Sequence, residues 1–199
     1  MEPEELGLTR VLFQSATLLA QFMVFGSHPL VIRYFDPKNK LLEKALERSS
    51  WLIVGLGVLI TTLGLVVFNE PFIGYYSDKS NLFVEFAVWT LPMAIGLAIY
   101  QLLAAWAQVR GRSVIETGIK EVGLRFLFTL GISSYLFDWV NFTFLVEYYA
   151  LTPLLAALSL GIFTYRKVNS GRSLDGVKAV SFRDFFRFAA YNLLSRASN

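Results

Sequence analysis

Residues 51–68 read WLIVGLGVLITTLGLVVF, without one charged side chain. A bilayer core is crossed by roughly 20 mostly apolar residues in helical form, with about 17 to 25 usual. This run meets that requirement on its own and sets the solvent in which the rest of the chain must be read. Working outward, four more segments qualify: roughly 11–32, 82–109, 123–137 and 142–164. The segment 82–109 is long enough to tilt, and Pro92 near its middle predicts a kink. The segment 123–137 is the shortest and has Arg125 near its start. The expected fold class is all-α, a polytopic transmembrane helix bundle of five spanning helices plus a truncated sixth.

Composition agrees. Of 199 residues 55% are hydrophobic and 17% charged, with 18 Phe, 9 Tyr and 4 Trp, more apolar surface than a water-exposed chain of this size can hide. There is no cysteine and one histidine, which excludes a disulfide framework, a thiolate metal site and an imidazole cluster. The sequence contains no phosphate-cradling GxxxxGK[ST] loop, no GxSxG, no HExxH and no dinucleotide glycine fingerprint, so neither a cofactor nor an enzymatic activity is expected.

The net charge of +3 is not gathered into one patch of the kind that binds nucleic acid. Arg33, Lys38, Lys40, Lys44 and Arg48 lie between the first and second apolar runs. Arg110, Arg112, Lys120 and Arg125 lie between the third and fourth, and Arg166, Lys167, Arg172, Lys178, Arg183 and Arg187 follow the fifth. The other connections hold only Lys79. Basic loops mark the cytoplasmic side, which predicts three basic segments inside and the acidic amino terminus, MEPEELG, outside. A head-outside start without a cleavable signal fits either a chain that enters the membrane head-outside or one from which a preceding span has been lost.

Three units are expected: residues 1–164 as a first transmembrane bundle, 165–181 as a cytoplasmic basic linker around NSGRSLDG, and 182–199 as the amphipathic start of a further membrane helix. On the outer side NEPFIGYYSDKSN and FDWVNF are read as turns.

Polar groups inside the apolar runs are expensive in lipid and belong on a bundle interior or a water-filled cavity. Seven residues turn a helix through about 700°, returning each heptad step to within about 20° of one face. Gln14, Gln21 and His28 therefore form one stripe, extended by Arg10 and Thr17. It is read either as a wall of a hydrophilic path or as hydrogen-bonding glue between helices. Arg125 begins a ladder with Thr129 and Ser133, and its planar guanidinium suits an oxyanion or an inner headgroup. Glu85, Asp138 and Glu147 lie at the edges of the runs, and Gln101 and Gln108 repeat the heptad step.

The succession PEELGLTRVL, GSHPLVIRYF, YYSDKSNLFVEF, LPMAIGLAIYQLLAAWAQVRGRSVIETGIKEVGLRFLFTL and FRDFFRFAAYNLL resembles the amino-terminal half of Wzx-like oligosaccharide flippases. These belong to the superfamily that includes the lipid II flippase and the MATE exporters. The resemblance implies helices two to six of a first bundle, with helix one and the second bundle outside this chain. It also implies location in the bacterial inner membrane. The implied activity is transfer of an undecaprenyl-pyrophosphate-linked oligosaccharide between leaflets by alternating access, without ATP hydrolysis and with H+ or Na+ coupling in some members. The implied partners are that lipid-linked oligosaccharide, membrane lipids and polysaccharide-assembly proteins. Arg10 and Arg125 would face pyrophosphate, and Gln14, Gln21, Thr17 and His28 would complete the cavity lining. Two other readings stay open: a MATE-like cation-coupled antiporter, favoured by acidic residues deep in the spans, and a small non-transporting membrane partner.

Overall fold

The computed structural model describes residues 3–67 and 81–165. Among these, every regular element is helical. The chain forms α1 (Pro3–Val24), α2 (Ser27–Tyr34) and α3 (Lys40–Val67). After the gap come α4 (Asn81–Phe86), a 3-10 turn at Ala87–Trp89 and α5 (Thr90–Val109). Then follow α6 (Ser113–Gly118), a π segment at Ile119–Gly123, α7 (Leu124–Leu136) and α8 (Phe142–Tyr165).

Three stretches are long and apolar enough to cross a membrane: Lys40–Val67, Val84–Val109 and Phe142–Tyr165. These are the second, third and fifth expected runs. The first expected run is not one straight helix. Gly7–Val24 and Ser27–Tyr34 qualify only as a pair, bent by 48°. The break is local: Phe25 and Gly26 adopt φ of 42° and 74°, so the helical ladder stops at Val24 and restarts at Ser27. Gly26 takes a left-handed conformation that glycine adopts without steric cost, and Pro29 sits in the new first turn, where its missing N–H is harmless.

The fourth expected run is not among these helices. α7 has 13 residues, about 20 Å at the helical rise, short of a bilayer core. Of the five spans expected from sequence, three are long and apolar enough to cross among the described residues, or four with the bent pair. Pro92 produces no mid-helix kink; it lies in the first turn of α5, and the irregular backbone is the Ala87–Trp89 turn just before it. The linker at 166–181, the segment 182–199 and most of NEPFIGYYSDKSN lie outside the described residues. FDWVNF is a turn as expected, with Asp138 at φ 56° and Trp139 exposed.

α5 is the central helix, packed against α1, α2, α3 and α8. Its buried side chains are mostly small, among them Ala94, Gly96, Ala98, Ala104, Ala105 and Ala107, and α8 answers with Ala150, Ala156 and Ala157. Without a hydrophobic force between helices in lipid, small residues let backbones approach and gain dispersion contact. At Gly96 a methyl group would lie 2.7 Å from the Leu154 backbone nitrogen, and at Gly57 it would strike the Met23 backbone of α1. The opposite flank of α3 stays open, with Leu52, Leu56, Leu59, Ile60 and Leu63 all exposed. A helix with its apolar side chains turned outward is the arrangement lipid tails satisfy.

Candidate functional site

The polar stripe of α1 keeps its register over most of its length. Leu12, Ala16, Ala20 and Met23 are buried on one side of the helix, while Arg10, Gln14 and Gln21 are exposed on the other. Thr17 is half-buried, and its hydroxyl donates to the Phe13 carbonyl at 2.8 Å. Its hydrogen is thus used within the helix and its lone pairs remain. The stripe ends at the break. His28 belongs to α2, across two residues with left-handed backbone, so the heptad phase that joined it to Gln21 in the sequence does not hold. That expectation is corrected: the shared face is Arg10, Gln14, Thr17 and Gln21.

The helix that carries Arg125 meets α1 through aromatic packing. Phe13 meets Phe128 edge to face at 6.2 Å, and Phe128 stacks on Tyr149 of α8 at 4.2 Å. Nearer the start of α1, Glu5 accepts from the Tyr135 hydroxyl at 3.0 Å, so α1 and α7 run antiparallel. Arg125, one turn before Phe128, then stands at about the depth of Ala16 and Thr17, since each residue advances ~1.5 Å. It is exposed and pairs with Glu121 at 2.7 Å. The guanidinium therefore already has an anionic partner from its own helical segment, and Thr129 donates to the Arg125 carbonyl at 2.8 Å. Below the Phe13 to Phe128 contact, Thr9, Leu12, Trp89, Met93, Val146, Tyr149 and Ala150 line a small apolar pocket between α1, α5 and α8.

No protein-family model matches the chain, and neither the curated proteins nor the solved structures give a match.

A second polar assembly was not legible in the sequence. Arg110, just beyond α5, lies 3.1 Å from Glu43 and 3.5 Å from Glu47, both on α3. It also donates to the Thr164 carbonyl of α8 at 3.5 Å. Its guanidinium lies between two rings, 4.9 Å from the Trp106 centroid and 5.0 Å from that of Tyr165. Trp106 is fully buried and donates to the Ser50 hydroxyl at 3.3 Å, while Ser50 donates to the Glu47 carbonyl at 2.8 Å. Phe35 closes the group edge-on to Trp106, and the Trp51 indole donates to Tyr165 at 3.3 Å.

This cluster binds the start of α3, the end of α5 and the end of α8 at one end of the bundle. The segments carrying Lys40, Lys44 and Arg48, and Arg110 and Arg112, thus lie at the same end, where α8 also ends at Tyr165. Glu5, Tyr135, Phe86 and Phe142 mark the other, joined by the Glu5 to Tyr135 hydrogen bonds and by ring contacts of Phe142 with Phe86 and Tyr135 at 5.5 Å and 6.1 Å. The sequence signal for the cluster was Glu43, Glu47 and Ser50 at helical spacing on one face, which is meaningless until a cation faces it.

The remaining sequence candidates divide simply. Glu85 and Asp138 are exposed, Glu147, Gln101 and Gln108 are half-buried, and Glu116, not singled out, is buried. Among the described residues no group of His, Asp and Glu could hold a metal ion.

Proposed function

We propose that this chain is one bundle of a bacterial inner-membrane carrier, of the kind the Wzx-like resemblance implies. It would pass an undecaprenyl-pyrophosphate-linked oligosaccharide between leaflets by alternating access. The observation that carries the reading is the exposed line of Arg10, Gln14 and Gln21 on a helix whose other exposed side chains include Val11, Leu18 and Phe22. A polar stripe at bilayer depth costs free energy against lipid, because amide and guanidinium groups lose water without replacement partners. It is stable when it faces water or another protein. Amide side chains suit sugar hydroxyls, and a guanidinium suits the oxyanion of a diphosphate.

In this reading α1 with α2 makes a first crossing, broken at Phe25 and Gly26. The chain from Ser113 to Leu136 makes a fourth by running α6, the π segment and α7 end to end. The contact of Tyr135 with Glu5 at the far end, and the donation of Tyr148 to the Leu127 carbonyl at 3.0 Å midway along, support that path. Arg125 would release Glu121 to engage the diphosphate.

One observation favours a cation-coupled antiporter as a second reading. Glu116 is only 8% exposed, and among the described residues its carboxylate accepts one hydrogen bond, from Thr117 at 3.5 Å. A buried carboxylate with no ion pair among the described residues is a candidate ion site. Cells deleted for the gene decide between the two. Under the flippase reading, lipid-linked oligosaccharide accumulates at the inner leaflet and surface polysaccharide falls, and a version with Arg10, Gln14, Gln21 and Arg125 all replaced fails to restore it. Normal polysaccharide in the deletion, with altered tolerance to cationic drugs that Glu116→Gln abolishes, supports the antiporter.

A further inference from the structure

The outward flank of α3 carries chemistry that the polar stripe does not use. On this helix each step of four residues advances the direction of the side chain by about 40°. Lys40, Lys44, Arg48 and Leu52 therefore climb one slowly winding line, and all four are exposed. Leu59 and Leu63 continue on the same flank, at 54% and 56% exposure. Glu43 and Glu47 stand three positions after Lys40 and Lys44, the i,i+3 spacing at which they would ordinarily neutralise such a row. Here they lie on the edge of the row that borders the bundle, where Arg110 engages both. Arg110 thus competes with the outer row for these two carboxylates.

We infer that Lys40, Lys44 and Arg48 form a binding site for the phosphate of an anionic phospholipid whose acyl chains lie on Leu52, Leu59 and Leu63. The inference needs only that α3 crosses a bilayer and is independent of what the protein carries. Charge complementarity and continuity select the occupant: a soluble anion would use the cations but has no part that needs the leucines, and a zwitterionic headgroup offers the cations no net charge. Trp51, exposed at the junction of the row and the apolar flank, marks the headgroup level where indoles concentrate. Basic residues beside a membrane surface attract anionic lipid strongly enough that each contributes about fivefold in affinity.

The test uses the purified chain in detergent, with phosphatidylglycerol and phosphatidylcholine as probes and retained lipid counted by native mass spectrometry. Wild type should keep phosphatidylglycerol in preference, the joint variant Lys40→Gln, Lys44→Gln, Arg48→Gln should lose the preference by about fivefold per cation, and Lys44→Arg with Arg48→Lys should keep it. An equal loss on replacing Lys120 and Arg125 instead, or equal stabilisation of wild type by glycerol phosphate alone, would overturn the site. Should the triple variant not fold, a photoactivatable phosphatidylglycerol on wild type gives the same answer: crosslinks within residues 40–63 support it, and crosslinks only elsewhere contradict it.

Discussion

Arg110 meets Glu43 at 3.1 Å across 67 positions of sequence, and this pair, with Glu47 beside it, ties α3 to α5 at the basic end of the bundle. The side chains involved are about one-fifth to one-quarter exposed, so solvent screens the attraction only in part. Because the guanidinium also stacks on Trp106 and Tyr165, it contributes packing as well as charge.

Replacing Arg110 by Gln should therefore lower the stability of the detergent-solubilised protein by about 1–3 kcal/mol, the range for losing hydrogen bonds to charged groups. Glu43→Gln alone should cost less, since Glu47 remains. A double-mutant cycle on thermal unfolding checks the coupling. Strict additivity of Arg110→Gln and Glu43→Gln would show that the contact carries no energy.

Four glycines of similar appearance should behave in two ways. Gly57→Ala and Gly96→Ala press a methyl group into neighbouring backbone, and overpacking of this kind costs about 1–3 kcal/mol. Gly55→Ala and Gly64→Ala meet nothing within 4 Å, and should be neutral or stabilising by up to ~1 kcal/mol through helix propensity. Melting temperatures of the four variants, measured side by side, separate contact from propensity.

Much of this was legible in the sequence, for a physical reason. Residues 51–68 need no partner to declare themselves, because apolar length is a property of one segment, and α3, α5 and α8 are legible this way. The stripe on α1 was legible as far as Gln21, since helical phase is local. His28 was misplaced because phase does not survive a break. The signal was present in Gly26 followed by Pro29, a pattern suited to the restart of a helix. The Arg110 cluster was not legible at all. A lone arginine past an apolar run reads as a topology signal, and its partners on α3 and α8 appear only when the helices are assembled.

The topology itself can be tested by labelling, because the native chain has no cysteine. Lys44→Cys and Arg112→Cys lie at the end tied by Arg110, and Asp138→Cys lies near the end marked by Glu5 and Tyr135. In sealed vesicles the first two should react with an impermeant thiol reagent from one side and the third only from the other. Reaction of Lys44→Cys and Asp138→Cys from the same side would contradict the transmembrane arrangement.

The central claim is that the stripe on α1 faces water or a watery path, and substituted-cysteine accessibility in intact membranes measures this directly. Gln14→Cys and Gln21→Cys should react with a small charged thiol reagent many times faster than Leu59→Cys on the flank of α3, and a bulky polar oligosaccharide mimic should slow them. Reaction of Gln14→Cys and Gln21→Cys no faster than Leu59→Cys would mean that the polar line is sealed against lipid or protein, and the carrier reading would fall.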